Sequence, residues 1–232
     1  MSKTISKLSS KKRYLQIALN NTLEEAYKII YQIPISDRIL LEAGTPLIKR
    51  YGAEAIKKIK KWYEERIWWQ KLELIPYVVA DLKMMDRGET EVEIAAAAGA
   101  DAAVALGHSP IESLNVFIQK CEDLGLDAMV DMINVENPLL ILRQLKKLPR
   151  VVILHRGVDE ERFNKEKQIP LHEIRRIKGN YNVLIAIAGG DTLKEVQQAI
   201  FNDADIVVIW KSVFQSTAHT AKLVEEFLKE IK

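Results

Sequence analysis

The sequence predicts an α/β protein folded as one (β/α)8 TIM barrel with a parallel eight-stranded sheet, and three observations predict it. Short apolar, β-branched runs recur eight times at fairly even spacing. The segments between them have helical periodicity. The runs are apolar almost throughout, as expected of strands covered by helices on both faces. At 232 residues the chain has the length of one such barrel. Residues 1–232 are therefore read as a single domain with a basic N-terminal tail over 1–13.

The eight runs are Leu15 to Leu19, Ile39 to Leu41, Tyr77 to Ala80, Ala102 to Leu106, Ala128 to Met132, Val151 to Leu154, Val183 to Ala188 and Ile206 to Trp210. Several helices open with Ser or Thr three residues before Glu, the spacing of a capping box: Thr22 with Glu25, Ser109 with Glu112, Thr192 with Glu195. Leu193, Val196 and Ile200 form one apolar stripe, and Leu223, Phe227 and Ile231 another. The connection from Ile56 to Ile75 is long and holds Trp62, Trp68 and Trp69 among basic residues. A base-stacking platform would use such residues, but packing of the second helix or a subunit contact explains them more simply. Lys3, Lys7, Lys11, Lys12 and Arg13 read as a solvated tail rather than a binding arm.

Composition narrows the class of function. With 48% hydrophobic and 28% charged residues and a net charge of +2, the chain has the profile of a soluble globular protein and no excess charge that demands a nucleic-acid partner. Cys121 is the single cysteine, so no intramolecular disulfide can form. Neither a signal-peptide pattern nor an apolar run of membrane-spanning length is present, so a cytoplasmic location without a membrane partner is expected.

In this architecture reactive groups gather where strands end at the C-terminal face. The polar residues closing the runs are Asn20, Glu42, Asp81 with Lys83, Asp131 with Asn134, His155, and Gly189 with Gly190. Asp81 and Lys83 stand two apart on a strand, so both side chains are expected to enter the barrel mouth, with Asp86 beyond them in the loop. The same spacing suits a buried ion pair. Lys83 beside two carboxylates should keep its proton, which makes it a fixed cation and not a Schiff-base nucleophile. Glu42 and Asp81 suit a hard cation such as Mg2+. Ala186 to Thr192 joins a strand to a capped helix, and its glycine pair allows an anion close to the backbone, although a glycine pair also serves as a plain turn. His155 suits proton transfer, or a structural hydrogen bond.

At these residues the sequence resembles the 3-hexulose-6-phosphate synthases of the orotidine-monophosphate decarboxylase suprafamily. The resemblance runs nearly the whole chain, through Leu15 to Leu19, Glu42 to Lys49, Ala80 to Asp86, Ala98 to Asp101, Val130 to Val135, His155 to Asp159 and Ala188 to Gly190. It implies an aldol reaction that joins ribulose 5-phosphate to formaldehyde, or its reverse, through an enediolate held on Mg2+. The family's metal carboxylates fall on Glu42 and Asp81, its catalytic groups on Lys83, His155, Asp86 and the strand-one position Asn20. Substrate and phosphate contacts are expected at Gly189, Gly190, Lys211 and Asp131. The resemblance also implies a homodimer in which the loop bearing Asp86 reaches the neighbour's site.

Related keto-gulonate-phosphate decarboxylases place an arginine where Val158 stands and lack a proline at Pro46, which favours the synthase. The sequence departs from the synthase pattern at Asn20, where aspartate is usual, and at Trp210-Lys211, where Gly-Gly or Gly-Arg is usual. A diverged decarboxylase or lyase of the same suprafamily and a non-catalytic sugar-phosphate-binding scaffold are the rival readings.

Overall fold

Each apolar run becomes a strand of one closed sheet in the computed structural model, which describes residues 6–164, 166–215 and 219–231. The strands are β1 (Tyr14–Leu19), β2 (Ile39–Ala43), β3 (Val78–Met84), β4 (Ala102–Leu106), β5 (Asp127–Asp131), β6 (Val151–His155), β7 (Leu184–Ala188) and β8 (Ile206–Ile209). They pair in sequence order, and β8 closes on β1, every pair parallel. The (β/α)8 barrel expected from the sequence is therefore present.

The outer ring comprises α1 (Leu23–Gln32), α2 (Thr45–Tyr51), α3 (Glu54–Trp69), α4 (Gly88–Ala97), α5 (Ile111–Leu124), α6 (Pro138–Gln144), α7 (Val158–Phe163), α8 (His172–Lys178), α9 (Leu193–Phe201), α10 (Lys211–Gln215) and α11 (Thr220–Glu230). Among the described residues three units carry two helices, after β2, β6 and β8. Alternation along the strands separates two cores. Tyr14, Leu40, Val79, Val104, Met129 and Ile153 fill the barrel, while Leu15, Ile17, Leu41, Val130 and Val152 face the helices. Phe117, Tyr63 and Phe227 anchor the helical layer, each almost fully buried.

Several local expectations are corrected. The segment 6–13 is not a solvated tail, because the N-terminal face of the barrel exposes carboxylates and apolar floor that it covers. Ser6 donates to Asp127 at 2.7 Å, Lys7 pairs with Asp101, and Leu8 is buried against the barrel interior. Lys12 pairs with Asp37 and Arg13 with Asp203. Lys7, Lys11 and Lys12 keep exposed side chains, Arg13 is half-buried, and Lys3 lies outside the described residues. The capping box forms at Thr192 with Glu195, and Thr22 accepts the Glu25 N–H, but Ser109 is not a cap. Pro110 holds that position, and the Ser109 hydroxyl donates to the Met84 carbonyl instead. Trp62 packs on the core and stacks edge-on against Tyr27, as expected. Trp68 and Trp69 do not pack: they are 74% and 73% exposed and meet each other edge to face.

Candidate functional site

A cavity of about 780 Å3 opens at the C-terminal end of the barrel, and Asn20, Glu42, Asp81, Lys83, Asp131, His155, Gly189, Gly190 and Lys211 all line it. Asp86 does not: it lies exposed beyond β3, near the Ser113 hydroxyl at 3.4 Å.

The register explains why the acids converge. Glu42 sits opposite Ala18 of β1 and Val79 of β3, all facing inward. Asp81 and Lys83 both reach the cavity, though not by simple alternation. β3 carries a bulge between Ala80 and Met84, and Lys83 adopts a left-handed φ of 45°. Such a conformation is strained for a residue with a Cβ, and the ion pairs of its ammonium hold it there. Lys83 Nζ lies 2.9 Å from Asp131 Oδ2 and 3.1 Å from Asp81 Oδ2.

Asp131 is the hub. Its Oδ2 also meets His155 Nδ1 at 2.8 Å, and its Oδ1 accepts the Ile133 N–H at 2.9 Å. The Asp131 carboxylate, expected as a substrate or phosphate contact, thus joins the ammonium and the imidazole at the cavity wall. Burial opposes ionisation of Asp131, but His155 and Lys83 outweigh it and hold the carboxyl down at about 2. Burial likewise lowers the His155 and Lys83 values, yet Asp131 for the first, and Asp81 with Asp131 for the second, bring both out above the ordinary values. Glu42 is pushed up to about 7, first by burial and then by the neighbouring Asp81 charge.

Neutral donors steady the two acids expected to bind metal. Gln16 Nε2 donates to Glu42 Oε2, and the Thr45 hydroxyl lies 2.8 Å from both Asp81 Oδ2 and the Asp81 carbonyl. Among the described residues no three His, Cys, Asp or Glu side chains are grouped to hold a metal ion. The acidic share is the pair Glu42 and Asp81. Asn20 lies over the β2–α2 turn so closely that a Cβ on Gly44 would run into its Oδ1.

At the opposite wall Gly189 has a φ of 93°, and a Cβ there would strike the Arg156 carbonyl, so only glycine fits. Arg156 donates to the Gly189 carbonyl at 2.6 Å and to Glu195 at 3.1 Å, fixing this turn. The end of β8 is occupied in a way the sequence did not disclose. Asp191 accepts the N–H groups of Trp210, at 2.8 Å, and of Lys211, and the Ser212 hydroxyl at 3.2 Å. Lys211 Nζ pairs with Glu161 Oε2 at 2.6 Å. Trp210 lines the cavity half-buried. Gln16, Glu161 and Asp191 were thus missed. Only Gln16 left a trace in the sequence, as a lone polar residue inside an apolar strand.

Comparison with known proteins places this geometry. A family model described as orotidine 5'-phosphate decarboxylase / HUMPS family matches residues 13–225. A bifunctional enzyme Fae/Hps of Methanocella arvoryzae is 37% identical over 204 residues, covering 86% of this chain and 48% of its own. One from Archaeoglobus fulgidus is 36% identical over 223 residues, covering 94% of this chain and 53% of its own. The chain thus spans about half the length of these relatives. The crystal structure of 3-hexulose-6-phosphate synthase from Salmonella typhimurium superposes with a TM-score of 0.81 at 27% identity, over 94% of this chain and 98% of that one. With the family model spanning the whole barrel and the site residues seated at its mouth, the chain belongs to the orotidine 5'-phosphate decarboxylase / HUMPS family.

Proposed function

We propose that this protein is an aldehyde-lyase that interconverts D-arabino-hex-3-ulose 6-phosphate with D-ribulose 5-phosphate and formaldehyde. The observation that carries the reading is the Asp131 carboxylate shared by Lys83 and His155, beside Glu42 and Asp81, in a barrel that matches a solved 3-hexulose-6-phosphate synthase over 98% of that chain.

An aldol step needs a fixed positive group for the developing oxyanion and a group that carries one proton. Lys83 supplies the first as an ammonium held by Asp81 and Asp131. His155 supplies the second. Its Nδ1 is committed to Asp131, so Nε2 is the nitrogen that moves the proton. In the synthesis direction neutral His155 takes a proton from carbon 1 of ribulose 5-phosphate. That carbon attacks the formaldehyde carbon, the carbonyl pair moves to its oxygen, and the imidazolium returns the proton there. The reverse order breaks the same bond and releases formaldehyde, and no further reactant is needed.

Mg2+ belongs to the same reading. It takes one or two protein carboxylates and completes its shell with water and substrate oxygens, a share that Glu42 and Asp81 fit. When bound it supplies Lewis-acid stabilisation of substrate oxygen. The phosphate end is assigned to the Gly189-Gly190 turn and Lys211. Asp86 faces away from this chain's own cavity, beside the exposed Met85, so a catalytic part for it is exercised in a second copy, as in a homodimer with shared sites. A cytoplasmic setting agrees with the lone, buried Cys121 thiol. Among the described residues no helix is long and apolar enough to cross a membrane.

The test is formaldehyde consumption with ribulose 5-phosphate, with and without Mg2+. Consumption that requires both is expected; none under either condition would dismiss the reading.

A further inference from the structure

The inward positions of β1 are Tyr14, Gln16 and Ala18, and Gln16 is the polar group among them that lies below the mouth of the barrel, 1% exposed. Its neighbours in the interior are apolar, Leu40 and Val208 among them. Its Nε2 donates to Glu42 Oε2, whereas its Oε1 is buried with no partner. Reversing the amide would set Oε1 against the Glu42 carboxylate oxygen, so the donating orientation is the consistent one. A buried amide with an unmet acceptor is disfavoured relative to an apolar side chain of the same size. Closing the barrel therefore gives no reason for glutamine at this position, and the hydrogen bond to Glu42 does. Thr45 stands in the same relation to Asp81, so each acid of the pair is steadied by a neutral donor from another element.

We propose that Gln16 is a positioning residue for a divalent cation: by holding Glu42 Oε2 it turns the other carboxylate oxygen toward the ion. The proposal rests on the reading of Glu42 and Asp81 as metal carboxylates. Outer donors of this kind fix the orientation of a ligand and change metal affinity about 10- to 100-fold when removed.

The experiment titrates Mn2+ into the chelator-treated full chain and follows unbound Mn2+ by paramagnetic resonance. Wild type is compared with Gln16→Leu and with Gln16→Met, whose unbranched side chain fills the same space. Thermal midpoints are taken in chelator. Both variants should bind Mn2+ about 10- to 100-fold more weakly, with metal-free midpoints within about 4 °C of wild type. Affinity within twofold of wild type in the variants, with or without a lowered midpoint, would overturn the proposal and make Gln16 structural. Failure of both variants to fold would overturn it in the same way. A wild-type chain that binds no Mn2+ would sink the metal reading and this proposal together, whereas wild-type binding with unaffected variants sinks this one alone.

Discussion

The Lys83 ammonium lies 2.9 Å from Asp131 Oδ2, an ion pair that joins β3 to β5 across the barrel mouth. Burial works against the charged amine, but Asp81 and Asp131 overcome it and raise its pKa. A Schiff base requires the neutral amine. Borohydride added with ribulose 5-phosphate alone should therefore leave Lys83 unmodified by mass spectrometry; formaldehyde is omitted because it labels lysines indiscriminately. A reduced sugar adduct on Lys83 would replace the mechanism.

Asp131 should also set the pH behaviour. His155 has its pKa raised by Asp131 against the pull of burial, and synthesis begins from the neutral ring. Asp131→Asn removes that support, so the ascending limb of kcat/KM against pH should move to lower pH even as kcat falls. Stability shifts too. A raised His155 value adds stability at pH below its ordinary range near 6.5, lost as pH rises through the folded value. The Asp131 value, lowered to about 2, adds stability above about pH 4 that is lost as pH falls toward 2. Thermal midpoints between pH 4 and 2, about the two Asp131 values, should fall less steeply in Asp131→Asn than in wild type. Parallel curves would remove Asp131 from the acid transition.

The barrel and most of its mouth are legible in the sequence because the period of burial and the polar residue that ends each strand are local signals. Glu42, Asp81, Lys83 and His155 all lie where strand ends put them. What was not legible depends on distance along the chain. Asp131 and Lys83 are 48 residues apart, and no spacing rule tells a carboxylate whether it will meet a cation or a substrate. The bulge that turns Lys83 into the cavity breaks the very alternation that pointed to it. Leu8 and Lys7 read as tail because their partners, the barrel floor and Asp101, exist only once the strands have closed. Asp191 and Glu161 follow the same logic: hydrophilic residues after β7 and β6 in sequence, and partners of the β8 end in space.

Glu42 provides a check on the metal that needs no turnover. Its carboxyl is raised to about 7 by burial and then by Asp81, so it keeps its proton to higher pH than an ordinary glutamate does. A cation requires the carboxylate, and binding should expel that proton. Mn2+ titrations at pH 7 in buffers of different ionisation enthalpy should show proton release, and affinity should increase as pH rises from about 6 to 8. Glu42→Gln should abolish the release along with most of the affinity. Proton-neutral binding in wild type would place the cation away from Glu42.

The phosphate end of the site is where the structure presses hardest on the sequence expectation. Lys211 Nζ is already 2.6 Å from Glu161 Oε2, and the N–H groups of Trp210 and Lys211 already point at Asp191. A phosphate that draws on Lys211 must first part it from Glu161. Both side chains are about a third exposed, so water and salt screen the pair and its rupture costs about 0.5–1 kcal/mol. Glu161→Gln should accordingly lower the KM for ribulose 5-phosphate by about twofold to fivefold. Lys211→Ala should raise it, though less than the 10- to 100-fold that a charge-assisted contact of roughly 1.5–3 kcal/mol would give if nothing had to be broken first. The double variant separates direct from indirect effects: with Lys211 removed, Glu161→Gln should no longer improve KM, because the gain passes through the lysine. A KM that rises in Glu161→Gln would mean that Glu161 itself touches substrate hydroxyls. A KM unmoved by either change would send the phosphate to another cation of the cavity wall, and Arg50, exposed on α2 and hydrogen-bonded to the Asn21 carbonyl at 3.1 Å, would be the residue to change next.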